Sequence, residues 1–596
     1  MSHPSRPQPD PRSFKLDARF FKRLYSLTRP YWVRKGSWGS WLLLVIPLVM
    51  GVTTSGLFGY FSYLIRDEGN ALLAKDQTVY WELLVLVSIV AVARSASGRL
   101  HTYLGGRLHR HWRQWLTTEL VDRYLERRTY YEIANDQLID NPDQRIAAEV
   151  DPFCSTAAAI PARIIGTFTD FTVQAAILFS ISRSLFVAVL VYAVTKSVAL
   201  LWLYKPTIKM YYDITVSEAD LRYGILHVRE NAETVAFYRG EYAERAQILQ
   251  RLRTVIRRRI HFLNYSNLLY FGYDLLGLGW TLLLAVFLSP MFFAGEIQFG
   301  VIAQATACAT VLLQAFRIFF DFIPSTIIAI PDIMRLAEIQ EKFEELGRAR
   351  HSVAGAPRID FTVGKGIELQ GVSVQTPGGE QHLVSDLSFK VPPQEHLVIV
   401  GRTGVGKSSL LRAMAGLWTR GSGRITMPSP DEALFLPQRP YMILSDLRSQ
   451  LLYPRRRDDL SDKDLQAILE RVSLGDLAEK HGGFAAEKDW GRVLSLGEQQ
   501  RIGFARALVA QPRFIFLDEA TSAVDVETER LLYGLLARST ATFVSVGHRP
   551  SLLDYHVKAL RLMPSGEWEI MPARRAQVDE RDDTTLDSEA AERGVA

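Results

Sequence analysis

Hydrophobic and polar positions follow two different patterns along the 596-residue chain, and the change comes near residue 345. The first part is built from long apolar stretches. Trp41 to Ile65 is almost uninterrupted apolar sequence, long enough to cross about 30 Å of hydrocarbon as a helix rising about 1.5 Å per residue. Val79 to Ala96, Ala157 to Ile181, Leu185 to Leu203, Leu268 to Phe287 and Val301 to Ile330 repeat the pattern, so six spans are expected. Ahead of them, Phe20 to Lys35 mixes aromatic with basic residues, as an elbow helix at a lipid surface does. The pattern predicts a helical transmembrane domain over residues 18–345.

Lysine and arginine collect on one side of these spans. Arg99 to Arg128 and Lys205 to Arg259 are long and strongly basic, whereas Asp67 to Thr78, Ser182 to Ser184 and Ser289 to Gly300 are short and carry few cations. The positive-inside rule then places both termini and the two long segments in the cytoplasm, where their helical patterns continue the spans. Within the spans stand Glu82, Arg94, Arg163, Asp170, Lys196, Asp274, Arg317 and Asp321. Charges at membrane depth cost several kcal/mol without a partner or water, so this set points to a polar interior between helices. Arg317 and Asp321, four apart, are expected to neutralise each other.

After residue 345 the pattern changes. Residues 346–366 are expected to be a linker, small and polar from Gly347 to Pro357. From Ile367, short apolar runs alternate with helical ones, the pattern of an α/β domain over residues 367–573. Composition adds little beyond this. The net charge of +5 is mildly basic, two cysteines are too few for a disulfide scaffold, and Cys154 and Cys308 read as small packing residues. The ends, 1–17 and 574–596, read as disordered tails, and Met1 to Arg12 lacks the apolar core of a signal peptide.

Chemistry is concentrated in the second domain. Leu397 to Val400 is an apolar run followed by Gly401, Arg402, Thr403, Gly404, Val405, Gly406, Lys407, Ser408 and Ser409. The spacing of Gly401 and Gly406-Lys407-Ser408 matches the phosphate-binding loop, in which backbone N–H groups and a helix N-terminus wrap a nucleotide β-phosphate. Lys407 is expected to reach the β/γ oxygens, and Ser408 to ligate Mg²⁺. Phe514 to Leu517 is a second apolar run ending in Asp518 and Glu519. Asp518 is placed in the Mg²⁺ shell, and Glu519 beside the attacking water.

Leu494 to Arg501 (LSLGEQQR) resembles the signature motif of ATP-binding cassette (ABC) transporters. Gln438 stands where that family has its Q-loop, Ser522 to Asp525 its D-loop, and His548 its switch histidine. The resemblance implies a six-span, exporter-type membrane domain followed by a cassette that binds ATP and Mg²⁺. It also implies Gln438 in the Mg²⁺ shell, Gln438 and His548 orienting the γ-phosphate, and Ser495, Gly497 and Asp525 at ATP. Two features depart from the family: in the signature Leu496 and Glu498 replace the usual Gly and Gln, and Thr376 stands near the place of the adenine-stacking aromatic.

In that family ATP is clamped between the loop of one cassette and the signature of another, and this chain has one cassette. A homodimer is therefore expected, with a heterodimer of similar half-transporters as the alternative and no nucleic-acid partner. Asp140 to Ile146, Glu230 to Glu241, Pro437 to Tyr441 and Leu451 to Pro454 are similar to segments of peroxisomal fatty-acyl half-transporters and of cassette-fused SbmA/BacA-type bacterial proteins. This likeness implies that the loops couple the two domains and places the protein in a bacterial inner membrane. It implies a bulky hydrophilic cargo, cobalamin- or peptide-like, as in mycobacterial members. The alternatives it leaves are fatty acyl or acyl-CoA, and a proton-driven carrier with a regulatory cassette.

Overall fold

A computed structural model describes residues 18–136, 139, 141–316, 333–348, 358–376, 382–454, 459–547 and 549–576. The chain forms two compact units, Met1–Val353 and Ala354–Ala596.

The first unit is helical. Helix α1 (Ala18–Val33) leads into α2 (Trp38–Ala74) and α3 (Gln77–Leu125), then short α4 (Thr129–Asp136) and α5 (Pro142–Gln144). The long α6 (Val150–Ile181) and α7 (Arg183–Glu230) follow, then short α8 (Ala232–Phe237), α9 (Glu241–Phe293) and α10 (Phe299–Phe316). Helix α11 covers 333–348. Six of these helical segments are long and apolar enough to cross a membrane. Their apolar faces stay open: Trp202, Val191, Leu263 and Leu278 are exposed, as side chains that meet hydrocarbon are. The basic continuations of the spans are helical, and α3 alone has 49 residues, about 74 Å at about 1.5 Å per residue. Arg317 and Asp321 lie outside the described residues.

Helix α2 runs along α3, α7 along α9, and α10 packs on both α2 and α6. Helix α1 is more than a surface helix. Tyr31 is fully buried, stacks on Trp112 of α3 at 4.6 Å between ring centroids and bonds His111 Nδ1 at 2.9 Å. The segment around Asn141 does local work too. Arg145, in a π-turn ahead of α6, is almost fully buried and donates to Glu338 at 2.7 Å and to the carbonyl of Arg335 at 2.9 Å. Arg335 in turn meets Glu149 at 3.1 Å, so α6 begins anchored to α11.

The second unit has two sheets. One has the order β1-β5-β2-β3, from β1 (Asp360–Val363), β2 (Ile367–Gln375), β3 (His382–Val391) and β5 (Gly421–Met427). The other has the order β10-β9-β4-β8-β7-β6, from β4 (Leu397–Val400), β6 (Ala433–Leu436), β7 (Phe514–Asp518), β8 (Thr542–Val546), β9 (Lys558–Leu562) and β10 (Trp568–Pro572). Strands β4, β6, β7, β8 and β9 are parallel, and β10 closes the edge antiparallel to β9. The continuous apolar run of β4 and all five residues of β8, Thr542 and Ser545 included, are buried, as a parallel sheet covered on both faces requires. Helices α12 (Lys407–Met414), α13 (Leu447–Leu452), α14 (Asp462–Arg471), α15 (Leu477–His481), α16 (Trp490–Val493), α17 (Leu496–Ala510) and α18 (Val526–Ala537) complete the unit.

Candidate nucleotide site

The phosphate-loop residues lie at the carboxyl end of β4, where open α/β sheets bind ligands. Gly401 has φ 142°, and a Cβ there would lie 2.5 Å from the Leu562 carbonyl oxygen, so only glycine lets the chain leave the strand in this direction. Arg402, Thr403 and Gly404 are exposed, Val405 is buried as the loop's anchor, and Gly406 precedes α12. Lys407 arcs back, its ammonium donating to the carbonyls of Gly401 at 2.7 Å and Arg402 at 3.0 Å. Ser409 is half-buried in the first turn of α12. This is a glycine cradle with a positive helix end and a lysine at its mouth, which fits a polyphosphate.

Ser408 and Asp518 meet beside it. The Ser408 hydroxyl donates to Asp518 Oδ1 at 2.9 Å. Burial pushes the Asp518 carboxyl above its ordinary range, against the Ser408 hydrogen bond, and the neighbouring Glu519 pushes it the same way. The two oxygens are hard donors of the type Mg²⁺ takes, and a cation would lower the cost of the buried carboxylate. Glu519 sits in the left-handed region, φ 46°, with its N–H donating to the Val546 carbonyl at 3.0 Å. That backbone conformation is costly for a side chain of this size and is held by the strand next door. Gln438 Nε2 donates to Glu519 Oε2 at 2.8 Å, which commits its amide N–H and leaves the amide oxygen for a cation.

The signature residues form a second group. Ser495 caps α17 in a reciprocal box: Glu498 N–H donates to its hydroxyl oxygen at 3.3 Å, while its own N–H and hydroxyl each reach the Glu498 carboxylate at 2.8 Å. Burial works to raise the Glu498 pKa, but the two bonds from Ser495 and nearby Arg501 and Lys480 outweigh it, so the net shift is downward. Gly497 lets α17 approach the D-loop, since a Cβ there would be 2.8 Å from the Ala523 carbonyl oxygen. Asp525 caps α18, accepting from Thr528 N–H at 2.8 Å and from its hydroxyl at 2.8 Å. Bonds from Thr528 hold its carboxyl below the usual range. Ser495, Gly497 and Asp525 thus gather around the D-loop, while the loop residues, Gln438, Asp518 and Glu519 gather around the β-strand ends. His548 lies outside the described residues.

Three residues that sequence reasoning did not single out join these groups. Gln500, buried in α17, donates from Nε2 to the Gln438 carbonyl at 2.8 Å and to Ser522 Oγ at 3.1 Å, and its Oε1 accepts from Ala523 N–H at 2.9 Å. Glu529 is fully buried in α18 and takes bonds from Thr521 at 2.7 Å, Arg549 at 3.3 Å and Ser551. Arg549 also donates to the carbonyls of Val524 at 2.9 Å and Ser522 at 3.1 Å. Gln500 was legible as part of the signature octet, whereas Glu529, in the charged run Val526-Glu-Thr-Glu-Arg530, looks like a solvated helix face.

Residues 27–293 match the model of ABC transporter transmembrane region 2, and residues 384–522 match the ABC transporter model. The chain is 38% identical over 546 residues to an uncharacterized ABC transporter ATP-binding protein of Synechocystis, covering 90% of this chain and 82% of the relative. It is 33% identical over 631 residues to the chloroplastic ABC transporter D family member 2 of Arabidopsis thaliana, covering 93% and 88%. The mouse lysosomal cobalamin transporter ABCD4 is 30% identical over 597 residues, covering 93% and 97%. The chain belongs to the ABC transporter D family. It is a half-transporter, one membrane region fused to one cassette, and its cassette is an ATPase that drives transport.

Proposed function

We propose that two copies of this half-transporter hydrolyse ATP between their cassettes to move a bulky hydrophilic solute, cobalamin- or peptide-like, across a bacterial inner membrane with both termini cytoplasmic. One observation carries the enzymatic part: Gln438 and Glu519 are hydrogen-bonded beside the Ser408–Asp518 pair, at the mouth of a glycine-rich loop. Bound Mg²⁺ would neutralise phosphate charge, held by Ser408, Asp518 and the Gln438 amide oxygen. Glu519 accepts the proton of the attacking water, Lys407 leaves its loop carbonyls for phosphate oxygens, and His548 orients the γ-phosphate. Ser495 and Gly497 of the partner copy would complete each site, which supports a homodimer over a lone chain. Domain limits of 18–345 and 367–573 suit this division of work, with SbmA/BacA-type proteins as the bacterial group it joins.

The cargo assignment is supported by a cavity in the first unit whose lining includes both Arg94 and Asp170, and by the similarity to the mouse lysosomal cobalamin transporter ABCD4 over 97% of that protein. Purified protein in proteoliposomes tests it. ATP-dependent movement of labelled cobalamin, lost in Glu519→Gln, is the expected result. Movement of acyl-CoA instead would replace the cargo, and uptake that survives Glu519→Gln but collapses with an uncoupler would replace the mechanism by a proton-driven one.

A further inference from the structure

Helices α2, α3, α6 and α10 line an open cavity of about 770 Å³ within the first unit, walled among others by Thr54, Phe58, Arg94, Asp170, Thr306 and Thr310. Asp170 and Thr54 stand near the middle of their spans, so the cavity is at membrane depth. The Arg94 guanidinium carbon lies 5.2 Å from the Phe58 ring centroid and 5.4 Å from that of Phe61. Its Nε is buried and bonds nothing, and no ion pair joins Arg94 to a carboxylate among the described residues. Asp170, which lines the same cavity, accepts instead from the Ser55 hydroxyl. Cation–π contact recovers only part of the cost of a cation here.

Beside the Gln314 amide and apolar side chains, the wall carries three threonine hydroxyls. The hydroxyl of Thr54 donates to the Met50 carbonyl at 2.8 Å, that of Thr306 to Ile302 at 2.7 Å, and that of Thr310 to Thr306 at 2.7 Å. Thr306 and Thr310 have spent their protons on their own helix, leaving oxygen lone pairs as acceptors, whereas Thr54 Oγ1 also lies 2.9 Å from Ser97 Oγ of α3. The cavity thus offers one cationic donor facing a set of oxygen acceptors.

We infer that this cavity is a cargo subsite selective for a solute that carries an anion, carboxylate or phosphate, for Arg94, together with N–H or O–H groups for the oxygens of Asp170, Thr306 and Thr310. The assignment rests on the transport reading and sharpens it: a purely hydrocarbon chain offers these acceptors no donor, and a purely cationic solute meets a guanidinium that has no carboxylate partner among the described residues.

Equilibrium binding to the full-length protein in lipid nanodiscs, without nucleotide, tests the subsite. The probes are dansyl-Gly-Ser-Gly-amide, its phosphoserine form and its aspartate form, with decyl phosphate as an anion lacking donor groups. The phosphoserine or aspartate peptide, or both, should bind about tenfold or more tighter than the serine peptide, the scale of one charge-assisted hydrogen bond; which does so separates phosphate from carboxylate cargo. Arg94→Gln should erase that preference and Arg94→Lys should keep part of it, with the melting temperature reporting that each variant is folded. In the wild type the preference should also shrink as salt is raised, a readout that needs no variant. Equal binding of the three peptides, an unchanged preference in folded Arg94→Gln, or a decyl phosphate affinity matching the anionic peptides would each overturn the assignment. ATP hydrolysis measured on the same preparation judges the transport reading separately: protein that turns over ATP and binds no probe loses the subsite alone.

Discussion

The side-chain amide of Gln438 donates to the Glu519 carboxylate at 2.8 Å, joining two residues 81 positions apart at the end of the β6–β7 pair. The contact orients the carboxylate that is to take a proton from water. Glu519→Gln should lower ATP turnover by about 10²- to 10⁴-fold, the usual contribution of a general base, while leaving ATP binding intact. Gln438→Ala should cost about tenfold, one hydrogen bond to a charged group. Phosphate release by protein in lipid, beside an equilibrium measurement with labelled ATP, checks both; wild-type turnover in Gln438→Ala would show that the contact does not orient the base.

Asp518 makes the site sensitive to acid. Because burial raises its pKa, it takes up a proton on acidification earlier than an ordinary carboxyl does, and the protonated acid no longer binds a cation. Mg²⁺-dependent nucleotide affinity should therefore fall as pH is lowered, starting above the usual carboxylate range. Ser408→Ala removes a bond that favours the charged form, so its acid limb should move to higher pH. A titration of nucleotide affinity against pH at fixed Mg²⁺ reads the shift, and coincident limbs for wild type and Ser408→Ala would remove Ser408 from this role.

Glu498, one of the departures from the family signature, has a structural explanation in the capping box it closes with Ser495. Glu498→Ala should cost about 1 kcal/mol, the usual worth of such a cap, whereas Glu498→Gln should cost less because its amide oxygen can still accept. The folded pKa of Glu498 is depressed, so its stabilising contribution is present above the unfolded value and is lost as pH falls through the folded one. Chemical denaturation of wild type and the two variants at pH 7 and again in mild acid checks this, with the gap between wild type and Glu498→Gln narrowing in acid.

The six spans and the alternating cassette were legible because both follow from periodicity: uninterrupted apolar runs for lipid-facing helices, short runs for buried parallel strands. The phosphate loop was legible because its glycines answer a backbone requirement, seen at Gly401. What pattern could not give was partnership across the fold. Arg94 and Asp170 both stood out as charges in spans, but only the packing of α10 on α2 and α6 puts them in one cavity. Tyr31 read as an interfacial aromatic, and its burial against Trp112 depends on where α3 passes.

Glu529 was the hardest to foresee, and its removal should be felt widely. With its side chain 1% exposed, it gathers Thr521, Arg549 and Ser551, and Arg549 in turn holds the D-loop carbonyls of Ser522 and Val524. Glu529→Ala strands these donors and should destabilise the cassette by about 3 kcal/mol. Since Arg549 directly follows His548, turnover should also fall in protein that remains folded. Melting temperature and phosphate release of Glu529→Ala and Glu529→Gln test this; a Glu529→Ala protein as stable as wild type would make the cluster incidental.

His556 gives the cassette a second proton linkage, of the same sign as that of Glu498. Its Nδ1 lies 2.6 Å from the Leu552 carbonyl, which can only accept, so Nδ1 carries the proton. Nε2 then accepts from Ser545 Oγ at 2.9 Å, and Ser545 in turn accepts from the Tyr533 hydroxyl at 3.3 Å. This chain has no place for a second imidazole proton, and burial lowers the His556 pKa from 6.5 to about 4. The unfolded chain binds that proton first, so stability should be full above about pH 6.5 and fall as pH drops toward about 4, by up to about 1.4 kcal/mol per pH unit. His396, stacked on Phe543 at 3.6 Å and likewise lowered by burial, adds a slope of the same sign. His556→Gln should therefore flatten the pH dependence of thermal unfolding without abolishing it, and an unchanged slope would mean that His556 is protonated in the folded cassette.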